Sequence, residues 1–400
     1  MTDSDTDIAT SAINRLGLDL LISAAKADQN ILLSPYSIQC ALAMAFAGAD
    51  GETREEMASI LRFPADDVTL QLSLSTLARA LDAAATRPSP VASVIARMNG
   101  DSPVQLRVAN RLFGQRGYNF RAEFLSALAS GYGAPLEELD FAASPENARV
   151  RINRWVEKQT RKKIKDLIPQ CGVTRLTRLV LTNAIYFKAP WTAKFERSAT
   201  MPRPFHVAGA GTENVPTMRH QMSYPYTAHE EFVAVAVPYL MGELQFLIML
   251  PNAPDGLANL KKKLTPDLLA ECAKIQARDA IIYLPKLNLR PPTMSLTENL
   301  ESLGLKTAFD HPEGSANFAR MAPREPEEYL YIREIFHKAF LALDEDGTEA
   351  AAATAVVMGI RGISRPTTPI EIMVDRPFVF AIRHCQSGAC LFLGQVVDPR

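Results

Sequence analysis

Residues Asp344–Ala355 read DEDGTEAAAATA, and the run VVMGIRG comes directly after them at 356–362. Local propensity alone favours a short helix here, because four alanines come after a Thr-Glu pair that could cap a first turn. The flanking residues argue against a helix, since a strand-like apolar run precedes the stretch and Gly359, Gly362 and Pro366 interrupt the residues after it. A helix this short is marginal in water without partners. The alternative is an exposed segment that can become a strand, because small side chains can enter a sheet without steric conflict.

The composition is that of a globular protein with ample material for a core. Of 400 residues, 47% are hydrophobic and 22% are charged. The net charge of −1 gives no basic excess for binding nucleic acid, and no apolar run is long enough to span a membrane. Although the length would allow two or three domains, the sequence has no evident linker or internal repeat. We therefore predict a single domain over residues 1–400.

The first residues, MTDSDTD, are acidic and lack the basic start and apolar core of a secretory signal. We expect an intracellular protein, with an extracellular one, exported by another route or trimmed, as the alternative. The five cysteines are an odd number and do not form a disulfide framework. Cys385 and Cys390 flank a predicted turn, so that either a cross-strand disulfide or two free thiols is possible there.

Sequence motifs for catalysis are missing. The six histidines are scattered, and the chain contains no His-Glu-x-x-His, Cys-x-x-Cys or P-loop pattern. Gly362–Pro366 fails the Gly-x-Ser-x-Gly nucleophile pattern at its last position. We therefore predict a protein that is not an enzyme and needs no cofactor or metal.

Three motifs elsewhere in the chain carry a family resemblance. The first is Ser34-Pro35-Tyr36-Ser37-Ile38, in which Ser34 can cap and Pro35 can open a helix of small residues, with Gly-Ala-Asp-Gly-Glu-Thr after it at 48–53. The second is the β-branched and aromatic run 179–188, which is followed by Ala189 and then Pro190-Trp191. The motif usually has Gly at the position of Ala189, so slight strain is expected there. The third is the C-terminal pair of strand patterns at 376–383 and 391–396. With the stretch at 344–355, these motifs resemble the serpins, the serine protease inhibitor superfamily, over nearly the whole chain.

The resemblance implies an α+β fold with three β-sheets, about eight or nine helices and an exposed reactive-centre loop, here approximately 345–369, in a metastable native state. It implies a shutter beneath the main sheet formed by Ser34, Ser37, Asn183 and His337, in which His337 is the hydrogen-bond partner of Asn183. It places Trp191 in the breach, the region at the base of the loop. It also implies a hinge made of Glu345, Asp346, Gly347, Thr348, Glu349, Ala350, Ala351, Ala352, Ala353 and Thr354.

The function implied is suicide-substrate inhibition of a serine protease. The family's spacing from Glu345 puts the reactive bond at Arg361-Gly362, and arginine there suits a trypsin-like protease. Ile360 stays open as the reactive residue if the target is not trypsin-like, whereas Arg365 is followed by Pro366 and makes a poor bond. The alternatives are a non-inhibitory binding or chaperone-like serpin, or an inhibitor of cysteine proteases. We expect a monomer whose partner is the target protease.

The resemblance also bears on two helical regions, one near residues 83–104 and one that begins at Ile152. Some serpins bind heparin through a basic helix near residues 83–104, but here only Arg87 and Arg97 are basic, and we expect no heparin site. The pattern beginning at Ile152 predicts a helix through Leu167, with the basic residues of 161–165 on its solvated face. In the family this helix lies across the main sheet.

Overall fold

The computed structural model describes residues 3–64, 66–86, 104–240, 242–272, 276–326, 328–348 and 368–400, with the side chains of these residues from residue 6 onward, except that of Thr86. Among these residues no helix is both long enough and apolar enough to cross a membrane.

Nine α-helices lie within the described residues, which agrees with the predicted number. They are α1 Asp3–Ala24, α2 Pro35–Phe46, α3 Gly51–Leu61, α4 Asp67–Thr86, α5 Ala122–Gly131, α6 Pro145–Gln159, α7 Leu257–Lys263, α8 Pro266–Glu271 and α9 Thr297–Ser302. Helix α2 begins as the sequence predicts. Ser34 is its N-cap and accepts a hydrogen bond from the Ser37 amide, and Pro35 occupies the first turn. Nearly every side chain of α2 is buried, so this helix belongs to the core.

The described strands form two hydrogen-bonded networks. Their bounds are β1 Ile31–Leu33, β2 Gln105–Gln115, β3 Glu137–Leu139, β4 Leu179–Pro190, β5 Met201–Val207, β6 Gly211–Ala228, β7 Phe232–Pro238, β8 Leu244–Pro251, β9 Ala277–Pro285, β10 Leu287–Leu289, β11 Met294–Ser295, β12 Ile335–Ala339, β13 Leu341–Asp344, β14 Gly347–Thr348, β15 Ile370–Met373, β16 Phe378–His384 and β17 Cys390–Val396.

The first network has nine strands in the order β1-β17-β16-β8-β7-β6-β9-β15, with β5 also paired to β6. It consists of two parts that share the long strand β6. Residues 217–225 of β6 pair with β9, whereas residues 226–228 pair with β7. With these parts counted separately, the molecule has the three sheets of the predicted α+β fold.

The second network has eight strands in the order β10-β13-β14-β4-β12-β11, with β2 on the far side of β4 and β3 on β2. Its two faces cover different cores. Leu181, Ile185 and Phe187 of β4 contribute to the main core, into which α2 is packed. Val180 and Ala184, which point the other way, belong to a smaller core beneath α6 and the residues after it.

Three sequence expectations need correction or are now decided. The helix predicted over 152–167 runs from Pro145 to Gln159, and residues 160–166 form irregular turns with left-handed backbone at Arg161, Lys162 and Asp166. The basic residues of 161–165 therefore lie beyond the helix, which sequence periodicity could not show because a buried apolar pattern continues through the turns.

All five cysteines are free thiols. Of the heparin-related region, only 83–86 and residue 104 lie within the described residues.

Candidate functional site

The eight-stranded sheet divides into a fork beside β4. At one end β12 pairs directly with β4 in parallel, with His337 opposite Asn183 and Ala339 opposite Ile185. The chain continues from β12 into β13, which no longer touches β4. Instead the two-residue strand β14 lies between them, antiparallel to both. The base of the predicted hinge thus already forms a strand at the open end of the fork.

Gly347 allows β14 to enter the fork. Its φ of +144° lies in a region that side chains rarely adopt. A Cβ atom at this position would lie 2.6 Å from the Pro190 Cα and still closer to the carbonyl oxygen of Ala189. Ala189 itself sits in β4 and is not among the residues with positive φ, so the predicted slight strain at this alanine is absent.

Trp191 and Tyr239 hold the base of the loop from the core side. Their rings stack with centroids 4.6 Å apart. The Trp191 Nε1 donates to the carbonyl oxygen of Asp344 at 2.9 Å, and its backbone amide donates to that of Asp346 at 3.0 Å. The Tyr239 hydroxyl shares a 2.6 Å hydrogen bond with the hydroxyl of Thr348, which is fully buried. The turn before β14 is therefore fixed by both backbone and side-chain contacts.

The two acidic residues of this turn are buried and paired with cations. The Glu345 carboxylate accepts from Lys286 Nζ at 2.8 Å and from the Thr200 hydroxyl at 2.8 Å. Burial alone would raise the pKa of Glu345, but these hydrogen bonds outweigh it, and the pKa lies below its ordinary value. Asp346 pairs with Arg197 and, at 3.5 Å, with Lys194. We call Trp191, Tyr239, Lys286, Glu345 and Asp346 the breach cluster.

A second polar cluster lies where β4 and β12 are in contact. Asn110 on β2, Asn183 on β4 and His337 on β12 stand side by side on three neighbouring strands. Beneath them, the Ser37 hydroxyl donates to Asn110 Oδ1 at 2.9 Å and accepts from Asn183 Nδ2 at 2.8 Å. We call Ser34, Ser37, Asn110, Asn183 and His337 the shutter cluster.

His337 links this cluster to the start of α2. Its Nε2 accepts from the backbone amide of Ser34 at 3.3 Å, so we assign the proton to Nδ1, which donates to Asn183 Oδ1 at 2.5 Å. The Ser34 hydroxyl donates to the carbonyl oxygen of Leu391 on β17 at 2.7 Å. Burial lowers the pKa of His337 to about 4. The cluster is therefore neutral at physiological pH, and it connects the two networks of strands through hydrogen bonds.

The structure brings the predicted site residues into two groups. Ser34, Ser37, Asn183 and His337 meet in one network, and Glu345–Thr348 surround Trp191. The remaining predicted residues, Glu349, Ala350, Ala351, Ala352, Ala353, Thr354, Arg361 and Gly362, lie outside the described residues. The part of the chain that is described holds no group of three or more His, Cys, Asp or Glu residues suited to a metal ion.

Sequence reasoning missed three members of these clusters. Asn110 gave a signal, because it is a polar residue in an apolar strand pattern and a buried amide needs a hydrogen-bond partner. Lys286 gave none, because its pairing with Glu345 joins residues far apart in sequence. Tyr239 gave no signal, since its role depends on stacking against Trp191 across a tertiary contact.

Comparison with known proteins agrees with this architecture. The family model described as "Serpin (serine protease inhibitor)" matches residues 11–399. An uncharacterized serpin-like protein of Thermococcus kodakarensis is 35% identical over 393 residues, covering 98% of this chain and 85% of the relative. The leukocyte elastase inhibitor of Equus caballus is 34% identical over 98% of this chain and 99% of its own. Among solved structures, Serpin48 of the insect Tenebrio molitor, described as highly specific, superposes with a TM-score of 0.80 at 27% identity, over 97% of both chains.

Proposed function

The chain belongs to the serpin family, and from this we propose that it inhibits a trypsin-like serine protease by inserting its cleaved loop between β4 and β12. The family and the name of the relative from Equus caballus support a role as a serine protease inhibitor. The finer proposal, the trypsin-like target and the reactive bond Arg361-Gly362, depends on the arginine in the loop.

The insertion mechanism is inferred from the register in which β14 pairs with β4 and β13. Gly347 pairs with Pro190 of β4 and Asp344 of β13, and Thr348 pairs with Ala189 and Leu343. If β14 continued beyond Thr348 in the same register along β4, residue 352 would lie opposite Ile185 and residue 354 opposite Asn183. On the side of β13 and β12, residue 352 would lie opposite Ala339 and residue 354 opposite His337. Both pairs are at present joined directly. The two registers thus converge, and an inserted strand would enter the sheet without shifting either neighbour along its axis.

The composition of the loop fits this insertion. Directly opposed residues in a sheet point to the same face, so Thr348 and, after insertion, Ala350, Ala352 and Thr354 would point to the main core with Phe187 and Ile185. Ala351 and Ala353 would point to the face covered by α6. Thr348 and Thr354 are the largest of these four inward-pointing residues, and Val356, Met358 and Ile360, which continue the alternation on the same face, are apolar. No charged side chain would therefore have to be buried on that face. The 14 residues from Thr348 to Arg361 would span roughly 46 Å as a strand.

If the loop inserts in this register, insertion has two stages. Residues 349–351 would meet Lys188, Phe187 and Tyr186, which β12 does not contact, and could add to β14 without breaking any pairing. From residue 352 onward, β12 must move away from β4. The hydrogen bond between His337 and Asn183 then breaks, and Thr354 takes the place between them. In this proposal the breach cluster starts the new strand and the shutter cluster resists its advance.

Inhibition depends on the timing of this movement. A serine protease that attacks the bond after Arg361 forms an acyl-enzyme through its catalytic serine. Once the bond is cut, the loop is free at its new C-terminus and carries the tethered protease along the sheet as it inserts. Distortion of the protease's oxyanion hole then prevents hydrolysis of the ester.

Incubation with trypsin and then a denaturing, reducing gel tests this proposal. We expect a band at the summed mass that survives boiling, and mass spectrometry of the released C-terminal peptide should show that it starts at Gly362. The variant Arg361→Ala should lose the complex with trypsin. Clean cleavage with undiminished trypsin activity would instead favour a non-inhibitory serpin. A complex cut after Ile360 or formed only with another protease class would overturn the trypsin-like assignment alone.

Insertion itself is tested by a charge on the inward face of the new strand. We expect Thr354→Glu to be cleaved by trypsin after Arg361 without trapping it, because the glutamate would have to be buried beside Asn183. Glu349→Gln is the control, since residue 349 alternates to the opposite face and would lie beside the half-exposed Lys188. Equal loss of trapping in both variants would contradict the proposed register.

A further inference from the structure

A cleft lined by cations lies between the residues after α6 and the edge of the eight-stranded sheet. Its volume is about 550 Å³, which lies in the range of small-molecule sites. Three separate parts of the chain contribute the cations, namely the segment after α6, the connection between β10 and β11, and β12. The cations are Arg161, Lys162, Lys163, Lys165, Arg290 and Lys338. We call them the basic cleft.

The lining of this cleft includes no carboxylate from the described part of the chain. Arg161, Lys162, Lys165, Arg290 and Lys338 form no ion pair within 4.0 Å of a described carboxylate. Burial lowers the pKa of Lys338, and the charge of Asp166 offsets this only in part. Like charges held this close together produce a strong positive potential in the cleft.

Several of these cations are held in place by contacts with described residues. Phe340 is buried, and the Lys163 ammonium and the Arg290 guanidinium lie 5.4 and 5.2 Å from the centre of its ring. The Arg290 Nε donates to Asn288 Oδ1 at 2.9 Å. Lys338 Nζ donates to the carbonyl oxygen of Lys165 at 2.9 Å. A face that only served solubility would not need cations from three elements to converge on one concavity.

The cleft lies over the fork of the sheet. Phe340 separates β12 from β13 at the point where this strand leaves β4, and residues 290–293 form the matching gap between β10 and β11. The segment after α6 crosses from the β2 side to the β12 side, where Ile164, Leu167 and Ile168 share a core with Phe336. A ligand in the cleft would therefore contact both the covering segment and the strands that must separate.

We propose that the basic cleft binds a compact anion that carries several phosphate groups and that the bound anion ties the segment 160–168 to β12 and Arg290. Arginine binds phosphate oxygens in a bidentate manner and lysine adds point charges, and the cleft offers both. The volume is larger than one phosphate needs, and the number of cations suits a linear oligophosphate. This site goes beyond the proposed inhibition and can be measured without a protease.

Calorimetric titration with sodium tripolyphosphate, in a low-salt buffer free of phosphate, tests the site. We expect saturable binding to the full chain, weakened about tenfold by Arg290→Ala and again by Lys165→Ala, because each change removes a charged hydrogen-bond donor. The matched control is Lys262→Ala in the three-lysine run at the end of α7, which should bind as tightly as the unaltered chain. Sodium chloride at equal ionic strength measures the contribution of screening alone.

Absent binding, or equal weakening by Arg290→Ala and Lys262→Ala, would overturn the site. Hydrogen–deuterium exchange then tests the tie across the fork. Tripolyphosphate should slow the exchange of amides in 160–168 and 335–339 by several-fold, while β17, which belongs to the other network of strands, stays unchanged. Binding without protection of 335–339 would overturn the tie to β12. Both measurements are independent of whether the protein traps a protease.

Discussion

The fork beside β4 is held by different chemistry at its two ends. At the open end, the breach cluster uses charged hydrogen bonds, with Glu345 and Asp346 buried against Lys286 and Arg197. At the closed end, the shutter cluster is neutral and depends on His337 remaining uncharged. The difference reflects the task of each end in the proposed mechanism. The turn before β14 stays where it is when the loop inserts, so its charges keep their partners, whereas the contact of β4 with β12 must break and reform.

A buried neutral network suits a contact that opens. Breaking a charged pair in which both members are buried would leave an uncompensated charge in the core, which costs several kcal/mol. Breaking the bond between Asn183 and His337 costs less, because Thr354 would offer a hydroxyl to the same groups after insertion. Four changes test this contrast, from the largest expected effect to the smallest.

Replacing Gly347 by alanine should have the largest effect. The new Cβ would collide with the backbone of Ala189 and Pro190, at a cost of ~3 kcal/mol. We expect this cost to exceed the stabilisation from the four residue pairs that β14 forms with β4 and β13, so that β14 detaches. Hydrogen exchange of residues 344–348 should rise sharply, and the fraction of trypsin trapped per molecule cleaved should fall.

Gly314→Ala is the control for this change. Gly314 also has positive φ, at +82°, but open space surrounds the position of its Cβ. If both alanine variants trap trypsin equally well, early entry of β14 into the fork is unimportant for inhibition.

Lowering the pH should weaken the closed end through His337. Its pKa is about 4 when folded and about 6.5 when unfolded. The unfolded chain therefore binds more protons in this window, and stability is lost as the pH falls. From about pH 7.5 to about pH 4.5 the contribution of His337 to the free energy of unfolding should drop by about 2.5 kcal/mol. Urea-unfolding midpoints at both pH values measure the loss, and His337→Gln should show a smaller drop than the unaltered chain. Parallel pH profiles for the two proteins would refute the assignment.

Removing the hydroxyl of Tyr239 should have a moderate effect at the open end. Tyr239→Phe keeps the ring that stacks on Trp191 but leaves the buried Thr348 hydroxyl without this partner, at a cost of about 1.5 kcal/mol. Tyr224→Phe is the matched control, because Tyr224 is also buried but its hydroxyl bonds to His220 at 2.9 Å and not to residues 344–348. Both variants should lower the thermal midpoint, but only Tyr239→Phe should speed hydrogen exchange in 344–348.

Breaking the ion pair of Glu345 should have the smallest effect. Lys286→Met leaves Glu345 bonded to Thr200, and since the Lys286 side chain is 38% exposed, we expect a loss of only about 1 kcal/mol. The pKa of Glu345 is lowered in the fold, so this contribution is present above the ordinary pKa of glutamate and disappears as the pH falls through the folded value.

Lys263→Met provides the comparison for this pair. It breaks the pair of Lys263 with Glu231, in which both side chains are about half exposed, and should change the thermal midpoint by almost nothing. A deficit in Lys286→Met that persists at acidic pH would show that packing of the lysine stem, and not its charge, supports the turn.

Much of the fold could be predicted because the motifs are local. Ser34 and Pro35 define the start of α2 through capping and a fixed φ, both of which are properties of adjacent residues. The pattern at 179–188 predicted most of β4 for the same reason. The end of α6 could not be predicted, because Ile164, Leu167 and Ile168 continue an apolar pattern through turns that tertiary contacts stabilise. These contacts include packing on Phe336 and two hydrogen bonds between Asn153 and the backbone of Ile168.

The sequence by itself determined the family, the small side chains of the hinge and the placement of Asn183 in a strand where it needs a partner. Only the tertiary structure decided that β14 already lies between β4 and β13, in a register that would lead towards His337 and Asn183 if continued, and that six cations surround one cleft. The physical reason is distance along the chain. Local patterns specify which element a residue forms, but the register of strands about 150 residues apart is set by the packing of the whole sheet, where a shift of one residue would turn every side chain to the wrong face.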